Sequence, residues 1–122
     1  MVTFKSFSYA FKGLKYVLSS ERNARLHVIF ALLALVASIA LRIALEEWLF
    51  VVISITLVFF AEIVNTALEK TLDLISQENN QLVKLIKDMM AAAVLVTAIG
   101  AVIVALVVFL PRVVSIVLGM IA

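Results

Sequence analysis

The chain contains no cysteine, which removes disulfides, thiolate nucleophiles and cysteine-ligated metals together. Its glycines are only Gly13, Gly100 and Gly119. Neither a Walker loop nor a kinase glycine-rich loop can be written from so few, and any nucleotide site must be assembled from helix side chains. Charged residues make up only 15% of the sequence, and no stretch interleaves basic residues with aromatics outside a membrane context, which argues against nucleic acid binding. What remains is apolar. Hydrophobic residues reach 66% and mean hydropathy +1.24, against about 45–50% apolar residues in soluble domains. The 122 residues form one domain, 1–122, of an integral membrane protein.

Phe4, Phe7, Phe11, Leu14 and Leu18 recur at three- and four-residue steps, predicting an amphipathic helix over about 4–20 that lies on the membrane surface. The first 26 residues carry five basic side chains and no long apolar core, so they do not read as a cleaved signal peptide. Val28 to Leu41 is uninterrupted apolar, giving a first span over about 27–45 in which Arg42 snorkels. Glu46 and Glu47 then mark a tight charged turn, with Trp48 at belt position. A second span covers about 48–70, Ser76 to Asn80 reads as a loop, and a third span covers about 89–110. Met89 to Leu110 holds 22 residues without a charge, ended by Pro111 and Arg112. The fold class is therefore all-α: three transmembrane helices plus an amino-terminal surface helix.

Lys5, Lys12, Lys15, Arg22, Arg25, Lys70, Lys84 and Lys87 lie on one side of such a layout, against Arg42 and Arg112 on the other. The positive-inside rule places the amino terminus and the second connection in the cytosol. Ala93, Thr97, Ala101 and Ala105 repeat every four residues, which lets a neighbouring helix approach closely. Three spans provide few walls for a site, so a homo-oligomer is expected.

Inside the second apolar stretch a polar stripe opens at Glu62 and continues through Asn65, Thr66, Glu69 and Asp73; at 100° per residue these fall within an arc of about 100°. A carboxylate at lipid depth costs at least about 2.5–3.5 kcal/mol to insert and normally faces protein, ions or water. Glu69 lies two turns on, roughly 10 Å along the axis. Glu62 can thus serve as a base for a lipid-borne group while Glu69 meets a solute-borne ion. Glu21 lies at the same cytosolic level, so Glu21 and Glu69 can share Mg²⁺, which takes one or two carboxylates plus substrate phosphates. Lys87 and Asp88 enter the third span at that depth, and a lysine there can cancel phosphate charge. Each has a plainer alternative: a surface pair at a helix start for Lys87 and Asp88, a solvated helix end for Glu21, an interhelical hydrogen bond for Glu62. His27 reads as a polar anchor and stays outside the catalytic set.

The run Glu62-Ile63-Val64-Asn65-Thr66-Ala67-Leu68-Glu69, then Asp73, Lys87-Asp88-Met89 and Ala91-Ala92-Ala93-Val94-Leu95, with Lys12-Gly13-Leu14 and Glu21, resembles the prokaryotic diacylglycerol kinase and undecaprenol kinase family without gaps over nearly the whole chain. The resemblance implies a homotrimer in the bacterial inner membrane, with active sites shared between subunits. It implies transfer of the ATP γ-phosphate, with Mg²⁺, to the hydroxyl of a membrane lipid. Carried over by position, Glu62 is the general base, Glu21 and Glu69 are metal ligands, and Tyr9, Asn65, Asp73, Glu78, Lys87 and Asp88 are nucleotide contacts.

Some positions depart from the family pattern. Asn80 stands where histidine is common, Ile86 where alanine is usual, and Val2 where the diacylglycerol branch has a basic residue. Glu21-Arg22-Asn23, Arg25, His27, Glu47-Trp48-Leu49-Phe50 and Phe109-Leu110-Pro111 resemble the undecaprenol branch, so undecaprenol is favoured over diacylglycerol. Other classes of function are a small channel or transporter using Glu62 as a proton relay, or a structural subunit using Glu62 and Asn65 as interhelical glue.

Overall fold

A computed structural model describes residues 3–76 and 79–122; Val2 and Glu78 lie outside the described residues. Four helices follow one another: α1 (Phe4–Ser20), α2 (Arg22–Ala40), α3 (Leu45–Ile75) and α4 (Gln81–Ile121). The last three are long and apolar enough to cross a membrane. At 1.5 Å per residue α2 is roughly 28 Å long, close to a hydrocarbon core of about 30 Å, whereas α3 and α4 reach roughly 46 and 61 Å and must overhang it.

The surface helix forms where the aromatic spacing predicts, and Phe4, Phe7 and Phe11 are all exposed. Only Glu21 separates α1 from α2, in an extended conformation. Arg25 reaches back across this joint and donates Nη1 hydrogen bonds to the carbonyls of Leu18 (3.1 Å) and Ser19 (3.0 Å). Those two carbonyls end α1 without helical partners, so a cationic donor there is favourable on both hydrogen-bond and dipole grounds. Ala24 is fully buried beside the joint.

The first reversal of the chain differs from expectation. Glu46 and Glu47 do not form the turn; they lie in the first turn of α3, where acids complement the positive helix end. Glu47 Oε1 accepts a hydrogen bond from the Ala44 amide at 3.1 Å, satisfying one of the amides that a helix start exposes. The reversal is made by residues 41–44. Arg42 N–H donates to Ile39 C=O and Ile43 N–H to Ser38 C=O, both at 3.3 Å, with Arg42 at φ 51°. This is the Schellman pattern, in which a left-handed residue lets two final carbonyls be capped. Ile43, the residue after it, is buried.

The helix of the third span also differs from expectation. It does not stop at Pro111 and Arg112 but runs through them to Ile121. Proline removes an N–H and costs a helix interior about 3 kcal/mol in water. Within lipid, where an irregular backbone would leave more groups unsatisfied, helices carry proline more readily. Arg112, the next residue, donates to the Val108 carbonyl at 2.8 Å and to both Glu47 oxygens at 2.7 and 2.6 Å. This clamp pins α4 to the start of α3 over a cluster of Ile43, Val51 and Val108, against which Trp48 packs.

α3 packs most extensively on α4 and also touches α1 and α2. The helix with the polar stripe therefore sits at the centre of the protomer. Few large apolar side chains are buried; most on α2, α3 and α4 face outward, as lipid or a further copy of the chain would permit.

Candidate functional site

Glu62 is 2% exposed. Across the α2–α3 contact His27 Nε2 approaches its Oε1 to 3.2 Å, yet the alignment falls short of a hydrogen bond and Oε1 has no hydrogen-bonded partner among the described residues. One turn on, buried Thr66 folds its hydroxyl back onto the Glu62 carbonyl at 2.9 Å. This keeps the threonine from leaving a bare polar group in the protein interior. Asn65 is half-buried and its Oδ1 likewise has no partner among the described residues. Two acceptors thus stand unpaired at the buried end of the stripe, and such groups normally mark function or an absent partner.

Glu21 and Glu69 are both half-buried, and the charges of both act on Glu62. The helix joint brings the first of these to the stripe. Lys70 lies over the Tyr16 ring, 5.9 Å from its centroid, within reach of a cation–π attraction, tying the end of α1 to α3. Further out, Lys87 Nζ bonds Asp73 Oδ1 at 2.8 Å, joining α4 to the last acid of the stripe. That pair opens into a cleft of about 490 Å³ whose lining also includes Asn79, Asn80, Val83 and Lys84. Asn80 has its own task there: its Oδ1 caps α4 by accepting from Leu82 N–H (2.8 Å) and Val83 N–H (3.3 Å), a role asparagine fills well.

Below Glu62, on the lipid side, a cavity of about 270 Å³ runs between α2, α3 and α4. His27 and Val58 line one end, Val51 and Phe109 the other, and the small side chains Ala98 and Ala101 give it room. Its lining is almost wholly apolar, and its upper end lies one helical turn from Glu62. The site therefore has two unlike halves: charged and open above the carboxylate, apolar below it.

Of the residues expected at the site, Glu62, Asn65, Glu69 and Asp73 follow one another along α3, Glu21 stands near its buried end, and Lys87 meets Asp73, three turns and roughly 16 Å from Glu62. Asp88 is exposed on α4 beside Lys87. Tyr9 is not brought in; it is exposed, two turns and roughly 10 Å back from Tyr16 along α1, with Lys12 Nζ 5.6 Å from its ring centroid. Tyr16 and Lys70 are neighbours of the site that the sequence did not single out, and His27, read there as a polar anchor, stands against Glu62. Their contacts run between helices, and no spacing within one helix encodes them.

Among the described residues no group of three or more acidic or histidine side chains could cage a metal ion. A Mg²⁺ that keeps waters and substrate phosphates needs only one or two carboxylates from the protein, and the half-buried Glu21 and Glu69 are acids of that type near Glu62.

The sequence model of the family described as prokaryotic diacylglycerol kinase matches residues 8–109. The chain is 36% identical over 109 residues to the undecaprenol kinase of Bacillus subtilis (strain 168), covering 89% of each protein. It is 39% identical over 113 residues to a diacylglycerol kinase of Synechocystis sp., covering 90% of this chain and 63% of the relative. To the diacylglycerol kinase of Escherichia coli (strain K12) it is 35% identical over 99 residues, covering 81% of each.

Proposed function

The chain belongs to the prokaryotic diacylglycerol kinase family and is a membrane phosphotransferase, and from that premise we propose that it transfers the γ-phosphate of ATP to the hydroxyl of a membrane lipid, undecaprenol in preference to diacylglycerol. The observation that carries this reading is a buried carboxylate one helical turn from an apolar cavity, at the head of a helix stripe whose far end, at Asp73, lines a charged cleft. A lipid alcohol placed with its chain in the cavity brings its hydroxyl to Glu62. Glu62 takes the hydroxyl proton while the alcohol oxygen bonds to the γ-phosphorus, the bond from that phosphorus to the β–γ bridging oxygen breaks, and ADP leaves. A bound Mg²⁺ would neutralise charge on the β- and γ-phosphate oxygens. Glu21 and Glu69 would hold it.

Lys87 has three N–H donors. One is fixed by Asp73, which aims the ammonium and leaves two for phosphate oxygens. Asn65 and Asp88 complete the polyphosphate and ribose side, together with Tyr9 and Glu78 by family position. Catalysis of this kind rests on positioning and charge neutralisation.

The excess of basic residues at the site end supports a cytosolic location for the amino terminus and the second connection, in the bacterial inner membrane. The family resemblance supports a homotrimer, and the repeat of small residues on α4 leaves room for a neighbouring helix. The preference for undecaprenol rests on the 36% identity across nearly all of the B. subtilis protein. Several residues shared with that branch serve the framework: Arg25 caps α1 and Glu47 clamps Arg112. His27 stands at the cavity.

The test is purified protein with Mg²⁺, labelled ATP and each lipid in turn, the products separated by chromatography. Labelled lipid phosphate is expected with both, at higher kcat/KM for undecaprenol. Product with neither would overturn the kinase reading and leave a proton relay through Glu62 to be examined by flux measurements in vesicles.

A further inference from the structure

His27 sits where the two halves of the site meet. Its Nε2 lies 3.2 Å from Glu62 Oε1, with side-chain exposures of 21% and 3%, and the same imidazole lines the upper end of the apolar cavity. The charges that act on Glu62 come from His27 on α2, Glu21 at the joint and Glu69 on α3 itself. The Glu62 side chain can turn about its own bonds, and a base must be held in line with the proton it removes; a displacement of about 1 Å can cost up to 100-fold in rate.

We infer that His27 is the positioning residue of the lipid-alcohol site: its close polar contact at 3.2 Å, short of an aligned hydrogen bond, keeps Oε1 of Glu62 on the α2 side and leaves Oε2 for a hydroxyl at the end of the cavity. This rests on the lipid kinase reading. It gives His27 a role that neither an interfacial anchor nor a helix-packing residue would have, because the imidazole acts through one carboxylate oxygen.

Kinetics and spectroscopy on the full chain in lipid–detergent micelles test it. The substitution His27→Leu keeps bulk but removes the polar Nε2 contact, and is expected to lower kcat by about 10- to 100-fold while KM for ATP stays within about twofold. His27→Gln returns a polar N–H group and should recover most of that loss. Unchanged kcat in His27→Leu, or equal impairment in both variants, would overturn the proposal, since packing alone does not distinguish a polar group from an isostere. The contact has its own readout. His27 is the sole histidine, so ¹⁵N-histidine labelling gives one unambiguous ring spectrum. Its nitrogen shifts are expected to move on Glu62→Gln and to stay put on Glu46→Gln; no response to Glu62→Gln refutes the contact. If the unaltered protein phosphorylates neither lipid, the kinase reading fails, while the ring spectrum still decides whether His27 holds Glu62.

Discussion

Glu47 and Glu62 are glutamates on the same helix, and their surroundings give them opposite work. Glu47 has both oxygens occupied by Arg112 and one shared with the Ala44 amide; nothing is left over for a ligand. Glu62 is more deeply buried, yet its Oε1 has no hydrogen-bonded partner among the described residues. A framework acid satisfied in this way stabilises a fold, whereas an unsatisfied one is retained at a cost that function must offset. Glu62→Gln preserves shape and removes the base, and general-base catalysis is worth about 100- to 10,000-fold. The variant is expected to lose kcat on that scale while still assembling and binding ATP, as measured by size-exclusion chromatography and nucleotide titration. Glu47→Gln should do the reverse, lowering the thermal midpoint while leaving kcat nearly unchanged. Retained turnover in the first variant would remove Glu62 as base. The stripe from Glu62 to Asp73 was legible in the sequence because all its members share one helix and one periodicity. His27 was not, because its meaning depends on where α2 crosses α3.

At the level of helices, apolar run length and the three- and four-residue spacing of aromatics announced one surface helix and three longer ones, and these are present. The reversals were harder to read. Acidic pairs and prolines are the usual signs of a chain turning, and here Glu46-Glu47 and Pro111 both lie inside helices. Glutamates suit a first helical turn as well as they suit a loop, and a lipid-embedded helix carries proline more readily. The true reversal after α2 gave no glycine signal, since Arg42 occupies the left-handed position of its Schellman cap. A non-glycine residue there costs roughly 1–2 kcal/mol. Arg42→Gly relieves that strain, offset in part by the greater freedom of glycine in the unfolded chain. Thermal unfolding in micelles should show a raised midpoint with unchanged kinase activity. A lowered midpoint would mean that the arginine head group, and not the backbone, stabilises this turn.

For the molecule as a whole, the protomer's own packing sets His27 against Glu62 and ties Lys87 to Asp73, but exposes much of the apolar surface of three long helices. Lipid covers such surface without directing it. A repeat of small residues on α4, partly turned towards the apolar cavity at Ala101, offers a place where another helix can come close. If three copies assemble in cyclic symmetry, each site can take Glu62 from one copy and Lys87 from the next. Two inactive proteins, Glu62→Gln and Lys87→Met, then complement each other. In a trimer mixed at equal ratio, a site is intact only when its Glu62 donor carries the Lys87 change and its Lys87 donor carries the Glu62 change. That holds for about one site in four under random closed assembly. Co-refolding the two variants and assaying labelled lipid phosphate is therefore expected to restore about a quarter of the parent rate, with neither variant active alone. Recovery near zero, with mixed trimers verified by native mass spectrometry, would mean that each copy builds its site from its own Glu62 and Lys87, as their shared position on the α3–α4 pair allows.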